Sequence, residues 1–210
     1  ARVHDVVDVL AGGGDVALVT DAGTPGISDP GERLVAAVLD AGFEVSAVPG
    51  PAALVMALTI SGLPTGRFVF EGFLPRSGRD RRERLAELAA ETRTIVLYET
   101  PHRVARTIED LRDALGGERR VAVCRELTKM FESVARGTLD SVEIGEPRGE
   151  YVIVLAGRSV GEETVDDDTI RAELRAALAA GSTKRDAVDE VSRRLGASRN
   201  TVYALAVALS

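Results

Sequence analysis

The stretch "VTDAGTPGISDPGERLV", Val19 to Val35, places three glycines and two prolines between Gly23 and Gly31 and then takes up helical periodicity. So few side chains leave the main chain to do the chemistry. Glycines let amides and carbonyls approach a ligand closely, and prolines hold the wall in shape. The loop is not a P-loop, because no Gly-Lys-Ser/Thr follows. Nor is it a dinucleotide fingerprint, since its glycines are spaced three and five apart. A second stretch, "VPGPAALVMAL", sets Pro49-Gly50-Pro51 before a helix of small residues. Each loop alone reads equally as a stiff connector. Two of them after successive strand candidates favour the walls of one ligand cleft. A third group, "PRSGRDRRER", has five arginines from Arg76 to Arg84. Their planar forks suit phosphate, although Glu83, Glu87 and Glu91 also fit a solvated, charge-balanced helix face.

Elements must place these groups. Strand candidates are 16–20, 44–48, 67–73, 94–99, 120–126 and 151–157, several of them without alternation, as in strands covered on both faces. Helical patterns lie between them. Asp29 with Pro30, and Thr100 with Pro101, read as helix starts, and Gly42 and Gly116 as ends. The alternation predicts an α/β fold with a largely parallel sheet. The expected domains are 1–63, 64–158 and a helical tail, 168–210, with "SGLPTG" and "RSVGEETVDDD" as linkers.

Composition limits the partners. Net charge is −7, so contact with nucleic acid needs a local basic patch. Cys124 is the lone cysteine, no His/Cys cluster has metal-ligand spacing, and no apolar run is long enough to span a bilayer. A cytoplasmic, metal-free protein is expected.

Together "VTDAGTPGISDPG", "VPGPAALVMALTISGLPTGRFVFEGFLPR", "TIVLYETPHR" and "CRELTKMFE" resemble the ribosomal RNA small subunit methyltransferase I family, a branch of the tetrapyrrole methylases. The resemblance implies two α/β domains around a cleft, S-adenosylmethionine as cofactor, and a homodimer. It also implies 2'-O-methylation of a cytidine ribose in 16S rRNA of the small ribosomal subunit. By resemblance, Asp21, Ala22, Gly23, Thr24 and Ile27 line the donor site, Pro51 and Ala52 cover it, and Tyr98, Glu99 and Leu127 contact the adenosine side. Asp21 reads alternatively as a turn cap, and Tyr98 and Leu127 as core. Candidate proton acceptors are Glu99, His102 and Glu126, none singled out. His102 is expected in the first turn of a helix, where the dipole favours a neutral imidazole. RNA candidates are Arg76, Arg79, Arg81, Arg82, Arg103 and Lys129. The family's opening strand, its "PIGN" loop and an "AEDTR"-like segment are not found in residues 1–210. The first domain is therefore expected to be N-terminally incomplete, and this chain a weak donor binder.

From Arg171 onward seven Lys/Arg face four Asp/Glu. Gly196 and Ser198 suggest a helix-turn-helix-like pair, which either grips nucleic acid or packs as a plain hairpin. Two other functions also fit these residues: a tetrapyrrole (precorrin-type) methylase, and a noncatalytic RNA- or ribosome-binding module.

Overall fold

The computed structural model describes residues 3–159, 167–195 and 199–209. The chain divides into two compact units, Ala1–Arg158 and Ser159–Ser210.

The first unit begins with three short helices, α1 (Val3–Ala11), α2 (Glu32–Asp40) and α3 (Ala53–Ile60). There follow β1 (Phe68–Phe73), α4 (Gly78–Ala90), β2 (Thr94–Glu99), α5 (Val104–Leu115), β3 (Arg120–Arg125), β4 (Ser133–Thr138) and β5 (Tyr151–Leu155). Among the described residues the strands form one sheet in the order β1-β2-β5-β3-β4.

The sheet is mixed, which corrects the largely parallel expectation. Among the described residues only β1 and β2 pair in parallel; β5 is antiparallel to both β2 and β3, and β4 is antiparallel to β3. A short connection suffices between antiparallel strands, whereas parallel neighbours need a crossover such as α4. β4 was not foreseen, because "SVARGT" has little apolar content.

Alternation along the central strands builds two cores. Ile95 and Leu97 of β2, Val121 and Val123 of β3, and Ile153 and Leu155 of β5 face α4 and α5. Val96, Ala122, Cys124, Val152 and Val154 face α3. Burial pushes the Cys124 thiol up to about 11, so it stays protonated and behaves as a small core residue.

The runs 16–20 and 44–48 do not become strands. A β-rich run turns into a strand only when a neighbour takes up its N–H and C=O groups. Here they lie at the surface, with Val19 80% and Val48 92% exposed. Gly42 does end α2, as its sequence suggested: its N–H reaches Leu39 O and that of Phe43 reaches Val38 O, the paired bonds of a Schellman motif.

The second unit contains α6 (Asp167–Ala179), α7 (Lys184–Leu195) and α8 (Arg199–Ala208). They share a core of Ile170, Leu174, Val188, Val191 and Val202. Thr183 caps α7, accepting the Asp186 N–H at its hydroxyl, 3.2 Å. Arg194 bridges α7 to Glu173 on α6. The proposed turn residues Gly196 and Ser198, and most of the proposed linker, lie outside the described residues.

Candidate active site

The first Gly/Pro loop is seated at two points where a side chain would not fit. At Gly31, whose φ is +151°, a Cβ would stand 2.9 Å from Leu18 Cδ2 and 3.3 Å from Gly26 N. The chain therefore folds back on itself there, and α2 starts at Glu32 with Gly31 as its N-cap. This corrects the expected start at Asp29 and Pro30, which instead belong to the preceding turn. At Gly72 a Cβ would lie 2.7 Å from Ser28 Oγ. Gly72 sits where β1 slips register against β2, so the sheet's own irregularity makes room for the loop.

The two Gly/Pro loops touch. Thr24 Oγ1 donates to Pro51 O at 3.2 Å, and the loop 21–31 is tightened by Ile27 N bonding Thr24 O. The second loop is joined to the sheet, because Leu54 N–H donates to Tyr98 Oη at 3.2 Å. Tyr98 is half-buried, with its ring edge-on to Phe70 at 4.9 Å and to Phe73 at 5.9 Å. Burial pushes its phenol up, so at neutral pH it retains its proton. Leu127 packs into the same apolar cluster as Ala53, Leu54 and Tyr98.

β2 and β3 both run antiparallel to β5 and so run parallel to each other, as do β1 and β2. The carboxyl ends of all three leave one edge of the sheet, where ligands bind in open α/β folds. There the structure gathers Thr24, Pro51, Ala52, Tyr98 and Leu127. Asp21, Ala22, Gly23, Thr24 and Pro51 are exposed, Ile27 is 46% exposed, and Ala52 is half-buried. The surface they form combines main-chain atoms, short side chains, the Asp21 carboxylate, the aliphatic Ile27 and Leu127, and the Tyr98 ring. Phe70, Phe73 and the Leu54 amide belong to it but were not foreseen. The aromatics read simply as strand residues, and a single backbone N–H leaves no mark in a sequence.

Several site assignments change with the geometry. Glu99 is 2% exposed. One carboxylate oxygen accepts the Thr100 N–H at 2.8 Å, and the other accepts the Thr107 hydroxyl at 2.8 Å. With Arg103 at 3.4 Å as well, this carboxylate is buried among partners of its own chain rather than facing the exposed loops. Arg81 is 4% exposed, so it is no RNA contact. Its guanidinium donates to Asp110, to Pro75 O and to Thr107 Oγ1. Arg103 is likewise tied down, to Leu74 O at 2.7 Å. His102 is exposed, but it precedes the helix rather than lying in its first turn. Thr100 O accepts from Arg103 and Val104, Arg103 is the N-cap, and α5 starts at Val104. His102 therefore lies outside the terminal turn, beyond which the helix field fades.

Glu126 accepts the Glu150 N–H at 2.9 Å and Lys129 Nζ at 3.0 Å. The first bond above all, with the lysine beside it, holds its carboxyl below the ordinary range and makes it a weak proton acceptor. Lys129 is shared between Glu126 and Glu150, so its charge is already matched. Of the arginine cluster, Arg76 and Arg82 are exposed. Arg79 is exposed too and pairs with Glu83 along the helix. Among the described residues no group of His, Cys, Asp and Glu could hold a metal ion.

Residues 1–143 match the Tetrapyrrole (Corrin/Porphyrin) Methylases. The ribosomal RNA small subunit methyltransferase I of Mycobacterium tuberculosis is 48% identical over 91% of this chain and 67% of its own length. The chain belongs to the ribosomal RNA small subunit methyltransferase I family of tetrapyrrole methylases. The Synechocystis member is 44% identical over 99% of this chain and 76% of its own. The crystal structure of the methyltransferase CobJ shares the fold with a TM-score of 0.58 and 22% identity, covering 76% of this chain and 73% of that one.

Proposed function

We propose that the protein transfers a methyl group from S-adenosylmethionine to ribosomal RNA of the small subunit, at the ribose 2'-hydroxyl of a cytidine in 16S rRNA. The names of its relatives support the RNA substrate. The observation that carries the donor site is the meeting of both Gly/Pro loops with Tyr98 at one sheet edge. The wall fits that donor chemically. S-adenosylmethionine supplies a methyl group on a sulfonium whose positive charge disappears as the methyl leaves. A carboxylate about 5 Å from such a cation would add roughly 3 kcal/mol of gross attraction at an effective dielectric near 20. That attraction would be lost toward the transition state, favouring bound donor over reaction. Main-chain carbonyls of Asp21 to Thr24 give a weaker, fixed field, while Ile27, Pro51, Ala52, Tyr98 and Leu127 offer apolar surface for the adenosine.

The residues also divide the remaining work. His102 is the exposed member of the three proton-acceptor candidates, since Glu99 is buried and Glu126 is held as a weakly basic anion. Arg76, Arg79 and Arg82 present guanidinium groups to phosphate near the same edge. We further assign the region before the tail two functional halves, 1–63 and 64–158, and the three-helix unit a helix-turn-helix-like grip on RNA. A homodimer in the cytoplasm completes the reading.

Calorimetry on the full-length protein tests the donor site. Thr24→Val and Tyr98→Phe each remove one hydrogen-bonding group and should weaken donor binding several-fold, as loss of about 1 kcal/mol requires. His102→Gln should leave donor affinity unchanged and lower methyl transfer to intact small subunits. Unchanged donor affinity in both binding variants would move the site elsewhere.

A further inference from the structure

The loop 126–132, which puts Leu127 into the candidate site, has a second face. Its next residues stand in solvent: Met130 is 89% exposed and Phe131 66% exposed. Large apolar side chains are common singly on surfaces. Two adjacent ones on a loop that is fixed from both ends are a different matter. Glu126 and Thr128 hold φ of +49° and +67°, a conformation that costs free energy for any residue but glycine. The loop is tied down to keep it. Lys129 N bonds Glu126 O at 2.9 Å, Glu132 N bonds Lys129 O at 3.2 Å, and Thr128 N reaches Glu132 Oε2 at 2.6 Å. Glu126 Oε1 takes the Glu150 N–H, and Arg125 Nη2 donates to the carbonyl of Phe131 itself at 3.4 Å.

We propose that Phe131, with Met130 beside it, is a stacking subsite for an unstacked nucleobase of the RNA acceptor; this rests on the RNA-methylation reading above. A ribose hydroxyl carried to this edge from a single-stranded or looped segment brings an unstacked base with it. Proteins that bind such bases replace the lost stacking with an aromatic face. The loop leaves the same sheet edge as Tyr98, so a nucleotide reaching that edge meets the Phe131 ring. The loop's charges favour a base over a phosphate. Lys129 sits between two carboxylates, and Arg125 donates both Nη atoms to main-chain carbonyls and keeps its Nε buried, which leaves a flat ring and a polarisable thioether. The area also favours a base over a protein partner. A ring and a methionine offer a few hundred Å², against roughly 800 Å² per partner in a stable protein interface.

The test uses the full-length protein and small ribosomal subunits lacking the modification. Phe131→Ala should raise KM for subunits by about ten-fold, the scale of one lost base–aromatic stack, with kcat and donor affinity little changed. Phe131→Tyr and Phe131→Trp should restore KM, whereas Phe131→Leu, which keeps the apolar area but not the flat face, should not. A labelled single-stranded oligoribonucleotide should lose affinity in parallel, with the salt dependence of binding unchanged because no phosphate contact is removed. A KM within two-fold of wild type for Phe131→Ala overturns the subsite while leaving the methylation reading intact. A smaller sedimenting species at unchanged KM overturns it by making the tip a contact between protein chains. Wild-type protein that methylates no RNA overturns the parent reading, and the subsite with it.

Discussion

The two faces of the sheet are finished differently. One carries Ile95, Leu97, Val123, Ile153 and Leu155 and is closed by α4 and α5 with large branched side chains. The other carries Val96, Ala122, Cys124, Val152 and Val154, smaller residues covered by α3. At its carboxyl edge this second face ends in half-buried Tyr98 and Leu127 beside exposed loops. Adjacent residues of one strand therefore belong to different systems: Leu97 to the closed core, Tyr98 to the candidate site. Stability and ligand contact are separated by the period-two alternation of β2.

Substitution at these neighbours should break the comparison if it is wrong. Leu97 is fully buried among large apolar neighbours, so Leu97→Ala loses transfer free energy and leaves a cavity. Chemical denaturation of the variant should show a loss of about 3–5 kcal/mol, with donor affinity of the folded fraction unchanged. Tyr98→Phe should do the reverse, with a stability change near 1 kcal/mol or less and weakened donor binding. Equal effects of both substitutions on stability and on donor affinity would mean that the two faces are one system.

The closed face also carries a buried polar network, and its loss should have the next largest effect. Arg81 joins Asp110, Thr107 and Pro75 O, and Thr107 in turn donates to Glu99, so α4, α5, β2 and the Leu74–Pro75 turn are held together. Arg81→Met keeps the length and removes the charge, leaving Asp110 with only the longer Arg106 contact at 3.8 Å and Pro75 O with only Arg103 at 3.5 Å. Asp110 remains partly exposed, which softens the loss to about 2–3 kcal/mol, below the range for fully buried pairs. The melting temperature should fall while RNA affinity at a permissive temperature stays at the wild-type value. Weakened RNA binding with an unchanged melting temperature would return Arg81 to the phosphate contacts.

How far the sequence revealed this arrangement depends on what each residue's role requires. Four paired strands and the helices between them follow from apolar runs and turn residues, because those signals are local. The two Gly/Pro stretches were legible as loops for the same reason. The strand-like runs at 16–20 and 44–48 were not legible as surface segments, since pairing depends on neighbours that no local pattern names. Arg81 looks like its exposed neighbours in "GRDRRER". Only the helical phase that turns it inward, toward Asp110 twenty-nine residues later, distinguishes it. Glu99 misled in the opposite sense, because a carboxylate at a strand's end suggests chemistry until its partners are seen. Phe131 is one of the residues of the "CRELTKMFE" motif, and its exposure is a fact of the loop's backbone rather than of its composition.

The smallest predicted effect concerns the charge that fixes this loop. Glu126 is held below the usual carboxylate range, first by the Glu150 N–H and then by Lys129. Its contribution to stability is therefore fully present above the unfolded carboxylate value of 4.5 and is lost as pH falls toward the depressed folded value. Glu126→Gln keeps an oxygen to accept the Glu150 N–H and removes only the charge facing Lys129. With Lys129 46% exposed, the cost should be under about 1 kcal/mol at neutral pH. The difference between variant and wild type in urea denaturation should shrink as pH drops below 4.5. A difference that stayed constant down to the acid limit would mean that the carboxylate's shape, rather than its charge, holds the left-handed turn. Should methyl transfer in the variant stay at the wild-type rate, Glu126 is no proton acceptor, and its place is to hold Leu127 inward and Phe131 outward on one rigid loop.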